Sequence, residues 1–132
     1  MIFQMKRSLV LTTDPIEESS LVAGRLLSEA MGAVVYFSGV VRGTEGTTSI
    51  LGIHYEAFAA MAEHQFNLLF DEIANRWPVE SIRLVHRLGW VRVNEVSLWV
   101  EVVAAHRGEA FAASQYLIDE MKKRVPIWKQ TR

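Results

Sequence analysis

Between Phe58 and Trp77 the apolar residues Phe58, Ala62, Phe66, Leu69, Ile73 and Trp77 recur at steps of four, four, three, four and four. That spacing lines up one face of an α-helix, and Pro78 stops it. A helix with a single apolar stripe must bury it against a second layer. The flanking segments read as strands that could supply one. Ser8–Thr12 is a short β-prone run, and Gly32–Val41 is rich in β-branched and aromatic residues. Leu51, Ile53 and Tyr55 alternate with polar or small neighbours. Ile82, Leu84 and His86 share one strand face, broken at Gly89. Val96, Leu98, Val100 and Val102 alternate through Glu95–Ala105, a long half-buried strand.

Two further helices are expected. One opens at Asp14-Pro15, with Asp14 as N-cap, Pro15 first in the helix and Glu17 third, and runs to Gly32. The other spans Gly108–Val125, with Phe111, Ser114, Leu117, Ile118 and Met121 on one face, and ends at Pro126. Ile127-Trp128-Lys129 continues extended. Gly43–Thr48 reads as a polar, mobile loop. The order β-α-β-β-α-β-β-α-β predicts an α+β fold: a mixed or antiparallel sheet with three helices, in a single domain over residues 1–132.

Composition narrows the chemistry. With 132 residues, half of them apolar, the chain can bury a real core. It has no cysteine, which removes disulfides, a thiolate nucleophile and cysteine-ligated metal centres. Any sulfur it handles must arrive on another molecule. A net charge of −1 gives no global case for nucleic-acid binding. No apolar run approaches the roughly 20 residues of a membrane helix, and the N-terminus lacks a signal-peptide pattern. A soluble, cytoplasmic protein is expected. The histidines at 54, 64, 86 and 106 have no metal spacing, and the 43–48 loop lacks the Gly-Lys-Ser/Thr of a P-loop. His86, on an apolar strand face, reads as a hydrogen-bonded core residue.

Three segments could carry chemistry. Phe37-Ser38-Gly39-Val40-Val41-Arg42-Gly43 ends an apolar strand in an arginine beside glycines, and a guanidinium offers a fork to carboxylate or phosphate. Its bland reading is a charge put into water at a strand end. Ala104-Ala105-His106-Arg107-Gly108 runs a strand into two cationic groups at a helix start, where anions are favoured. A capping turn with solvated charges explains it as well. Lys122, Lys123, Arg124, Lys129 and Arg132 follow the last acidic residue, Glu120. The helix dipole accounts for Lys122–Arg124 but not for Lys129, which lies past Pro126. Trp128 beside Lys129 could strip solvent from its amine, making it a base or nucleophile.

Taken together, these segments resemble the large, catalytic subunit of molybdopterin synthase. The matching stretches are Gly32-Ala-Val-Val-Tyr-Phe-Ser-Gly39 with Arg42, His54-Tyr55-Glu56 leading to Met61, and Arg76-Trp77-Pro78. His86-Arg87 with Gly89, Ala105-His106-Arg107 with Ala110-Phe111, and Lys122-Lys-Arg-Val-Pro-Ile-Trp-Lys129 complete the match. The resemblance covers roughly residues 8–130 and implies the large-subunit, α/β-hammerhead-like fold. It implies transfer of sulfur from the C-terminal thiocarboxylate of a small ubiquitin-like carrier subunit to cyclic pyranopterin monophosphate, giving the molybdopterin dithiolene. It implies a homodimer within a heterotetramer, and no resident cofactor or metal. By motif position Lys122 and Lys129 resemble the catalytic lysines. Phe37, Arg42, His106 and Arg107 resemble residues lining the substrate site. A non-catalytic module that docks the same ubiquitin-like partner is the alternative reading. A small RNA-binding domain is disfavoured, since no array of aromatics lies on one strand.

Overall fold

The computed structural model describes residues 4–132. Strand β1 (Lys6–Thr12) is followed by α1 (Glu18–Ala23), β2 (Ala33–Val40), β3 (Thr44–Glu45), β4 (Thr48–Ser49) and β5 (Gly52–Ala57). Helix α2 (Ala59–Arg76), β6 (Val79–Arg87), β7 (Gly89–Arg92), β8 (Val96–Ala104), α3 (Arg107–Arg124) and β9 (Ile127–Thr131) complete the chain. No helix among the described residues is long and apolar enough to cross a membrane.

A four-stranded sheet runs in the order β1-β6-β8-β2. β1 pairs parallel with β6, whereas β6–β8 and β8–β2 are antiparallel, so the sheet is mixed as expected. The α2 stripe is buried from Ala62 to Ile73, whereas Phe58, read as its first member, is the N-cap and stays exposed. Phe66, Leu69, Phe70 and Ile73 are fully buried against Ile82, Leu84, Val100 and Val102, with Ala113 and Leu117 of α3 in the same cluster. Each large side chain sealed there contributes roughly 1.5–3 kcal/mol relative to exposure.

β8 is buried on both faces, not one. Its second face carries Trp99 and Glu101, covered by the segment between β1 and β2. Arg25 Nε donates to Glu101 Oε2 at 2.7 Å, and Arg83 Nε to Oε1 at 2.8 Å. Burial pushes the Glu101 carboxyl up, but hydrogen bonds from Arg83 and Arg25 outweigh it and hold the group below its ordinary value. This clamp explains the shortness of α1. The expected helix from Pro15 to Gly32 is only Glu18–Ala23. Asp14 does not cap it; its N–H donates instead to Thr12 Oγ1 at 3.0 Å. Beyond Gly24 the chain runs irregularly, with Arg25 reaching Glu101 and the Ser28 N–H reaching Glu80.

A second sheet, β7-β5-β9, is antiparallel throughout and packs around Val41, Ile53 and Val91. Gly89 joins β6 to β7 with φ +80°, a backbone region that favours glycine. So the glycine read as a strand break also starts a new strand. The expected loop at 43–48 is a two-residue-strand hairpin, β3–β4.

Candidate active site

The C-terminal end of α3 and β9 bring the two lysines together, and Pro126 is the cause. Proline cannot extend the helix, and it drives the preceding residue out of the helical region. Val125 accordingly caps α3 with φ −86° and ψ 127°. The chain reverses into β9, which pairs antiparallel with β5 so that Lys129 lies opposite Tyr55 and Ile127 opposite Ala57.

Between this reversal and the end of β2 lies a partly open cavity of about 610 Å³, a size suited to a small organic substrate. Phe37, Ser38, Gly39, Val40 and Arg42 form one wall. Lys122 and Lys129 line the same cavity, together with Met121, Val125 and Ile127. Tyr55, His86, Ser97 and Leu98 close the floor. A register shift at Gly39/Val40 in the β2–β8 ladder marks where the strand end leaves regular pairing. Ser97 Oγ donates to the Gly39 carbonyl across that irregularity, at 3.3 Å.

Charge pairing separates the three basic residues in the last turn of α3. Lys123 meets Glu120 at 3.3 Å, and Arg124 grips Glu72 through both guanidinium Nη atoms. Lys122 has no carboxylate partner among the described residues, nor do Lys129 and Arg42. No acidic side chain lines the cavity. Three cations without counterions around one hollow form a receptor for anionic groups such as phosphate, carboxylate or thiocarboxylate.

Of the six residues singled out in the sequence, Phe37, Arg42, Lys122 and Lys129 line this cavity. His106 and Arg107 do not. They lie exposed at the opposite end of α3, where His106 is the N-cap and approaches Glu109 at 3.8 Å. At 1.5 Å rise per residue, Arg107 sits about 22 Å along the helix from Lys122. Trp128 does not shield Lys129 as expected. Successive strand residues point to opposite faces, and Trp128 is exposed on the face away from the cavity. Sequence reasoning missed Tyr55, Ser97 and Met121, and it treated His86 as core only.

An α+β protein with a cationic cavity at the end of its last helix, and no cysteine in its chain, is a candidate enzyme or binding protein for anionic substrates. Family comparison narrows that class. The family model described as MoaE protein matches residues 11–124. The chain belongs to this family. It is 37% identical over 109 residues to the human molybdopterin synthase catalytic subunit, covering 83% of this chain and 58% of that protein. To the catalytic subunit of Staphylococcus carnosus it is 41% identical over 106 residues, covering 79% and 69%. Molybdopterin synthase from Staphylococcus aureus has the same fold, with a TM-score of 0.83 at 32% identity, covering 95% of this chain and 89% of that one. The chain spans 54–58% of the length of the mammalian relatives it matches.

Proposed function

We propose that this chain is the catalytic subunit of a molybdopterin synthase, moving sulfur from the thiocarboxylate tail of a small ubiquitin-like carrier to cyclic pyranopterin monophosphate. The observation that carries the proposal is the cavity with three unpaired cations in a chain without cysteine. Such a site can bind an anionic tail and an anionic substrate, but it cannot supply sulfur itself. Membership of the MoaE protein family and likeness to proteins named as molybdopterin synthase catalytic subunits support the same reading.

The roles follow from position. Lys122, projecting from the helix end, stabilises the thiocarboxylate and the charge that develops as its sulfur is transferred. Lys129, on the neighbouring strand, exchanges a proton with the pterin or orients it. Arg42 grips the phosphate, and Phe37 packs on the ring. His106 and Arg107 share the anion-binding role only if a second copy delivers them, because their own cavity lies about 22 Å away along α3. That separation supports a homodimer, with one carrier at each cavity to make a heterotetramer. A cytoplasmic setting belongs to the same proposal, since a thiocarboxylate carrier suits a reducing compartment.

Amine labelling tests whether the carrier tail enters this cavity. The full-length tail should protect Lys122 and Lys129 from an amine-modifying reagent, while exposed Lys123 reacts as before. A tail shortened by two residues should protect neither. Equal labelling of Lys122 and Lys129 with both tails would remove the cavity from the reaction.

A further inference from the structure

His86 is a buried titratable group that the roles above do not use. It lies near the end of β6, only 6% exposed, yet its ring lines the cavity floor. Nδ1 is 2.8 Å from the Arg87 carbonyl. A carbonyl can only accept, so Nδ1 carries the hydrogen and the neutral ring keeps its lone pair on Nε2. Nε2 has no hydrogen-bond partner among the described residues and is not sealed from solvent. The ring is held on a second side by Tyr55, edge-on at 5.1 Å. Burial also pushes the imidazole below its ordinary pKa, which keeps it neutral at physiological pH.

The charged groups in the cavity have the opposite hydrogen-bonding character. Arg42, Lys122 and Lys129 offer only donors. Ser38 and Ser97 donate their hydroxyl hydrogens to Glu18 and to the Gly39 carbonyl, so towards a ligand they too can only accept. A substrate held by its phosphate on these cations still has to place a flat heterocycle rich in N–H donors. A fixed, neutral nitrogen acceptor on the floor is complementary to that edge.

We propose that His86 Nε2 accepts a hydrogen bond from an N–H group of the pterin and sets how deep its ring lies in the cavity. The proposal depends on the cavity being the pyranopterin site. It makes His86 a substrate-binding residue held in one tautomer by the Arg87 carbonyl. A structural imidazole would need Nδ1 alone; a substrate acceptor needs Nε2.

The amide side chains separate those two demands. In His86→Asn the amide can still donate to the Arg87 carbonyl from near the Nδ1 position, but Nε2 is lost. In His86→Gln an acceptor returns near the Nε2 position. Equilibrium binding of cyclic pyranopterin monophosphate should weaken about tenfold in His86→Asn, the scale of one hydrogen bond, and return to within about threefold of wild type in His86→Gln. Wild-type affinity in the asparagine variant, or equal losses in both, would overturn the proposal.

The imidazole ¹⁵N spectrum of the wild-type protein gives the same answer without a substitution. On saturation with the pyranopterin, the Nε2 resonance should shift as an acceptor while Nδ1 stays protonated. Tight binding with an unmoved Nε2 resonance overturns the role of His86 alone. A folded wild-type protein that binds no pyranopterin overturns the site assignment and this proposal with it.

Discussion

Arg42 stands just past the end of β2 with no carboxylate in reach, and its guanidinium can grip a phosphate by two parallel hydrogen bonds. Lysine keeps the charge and loses the fork. Arg42→Lys is therefore expected to weaken pyranopterin binding by about tenfold while leaving the thermal midpoint unchanged. Titration calorimetry checks it; wild-type affinity in the variant would make Arg42 a solvated strand end. Arg42 and Lys129 were legible in the sequence because each breaks a local pattern: a charge closing an apolar strand, and a lysine stranded past a proline; Lys122, an ordinary dipole partner at a helix end, stood out only through the family resemblance. His86 was not legible as a site residue. A polar residue on an apolar strand face looks the same whether its free nitrogen meets core or cavity, and only the tertiary fold decides. Trp128 misled because adjacency in sequence on a strand means opposite faces in space.

Among the elements, α2 and α3 were readable from periodicity, and their ends from Pro78 and Pro126. α1 was overestimated because Asp14-Pro15 carries the chemistry of a helix start, while beyond Gly24 the chain runs irregularly, its Arg25 tied to the buried Glu101 by a long-range ion pair. Neither partner of that pair announces the other 76 residues away. The junction of α2 and α3 holds a second such network. Glu72 accepts from Arg124 and from the Tyr116 hydroxyl, the latter at 2.7 Å. The hydrogen bond from Arg124, then that from Tyr116, holds the Glu72 carboxyl down from 4.5 to about 2. Its folded pKa is below its unfolded one, so its stabilising contribution is complete above about pH 4.5 and is lost as the pH falls towards about 2. Urea midpoints should accordingly separate wild type from Glu72→Gln at pH 6 and converge near pH 2. A constant gap across that range would show that the Glu72 charge contributes nothing to the α2–α3 junction.

At the scale of the whole molecule, the α+β architecture and mixed sheet were legible from the order of elements, but the division of the β7-β5-β9 sheet from the four-stranded one was not. That division is made by the turn at Gly89 and by the return of β9 onto β5, both matters of pairing between distant segments. It creates the cavity at one end of α3 and leaves His106 and Arg107 at the other. If two copies complete each site, two inactive chains should rescue each other. Co-refolding Lys129→Ala with a His106→Ala/Arg107→Ala chain should restore roughly a quarter of wild-type turnover. Half of a random mixture is heterodimer, and each heterodimer holds one intact site of two. Dimers that exchange subunits without regaining activity would mean that each chain works alone.

Sulfur transfer within this cavity is most directly tested by reconstitution: the chain, a thiocarboxylated carrier and cyclic pyranopterin monophosphate, with dithiolene product measured over time. The wild-type chain should form product with the thiocarboxylate tail and none with the carboxylate. Lys122→Ala and Lys129→Ala should each slow it by about 10²-fold or more, the scale of a lost acid–base group, with little change in stability because both lysines are exposed. Product formation at the wild-type rate by both folded variants would contradict the assignment, and absence of product from the wild-type chain would leave it a docking module for its carrier.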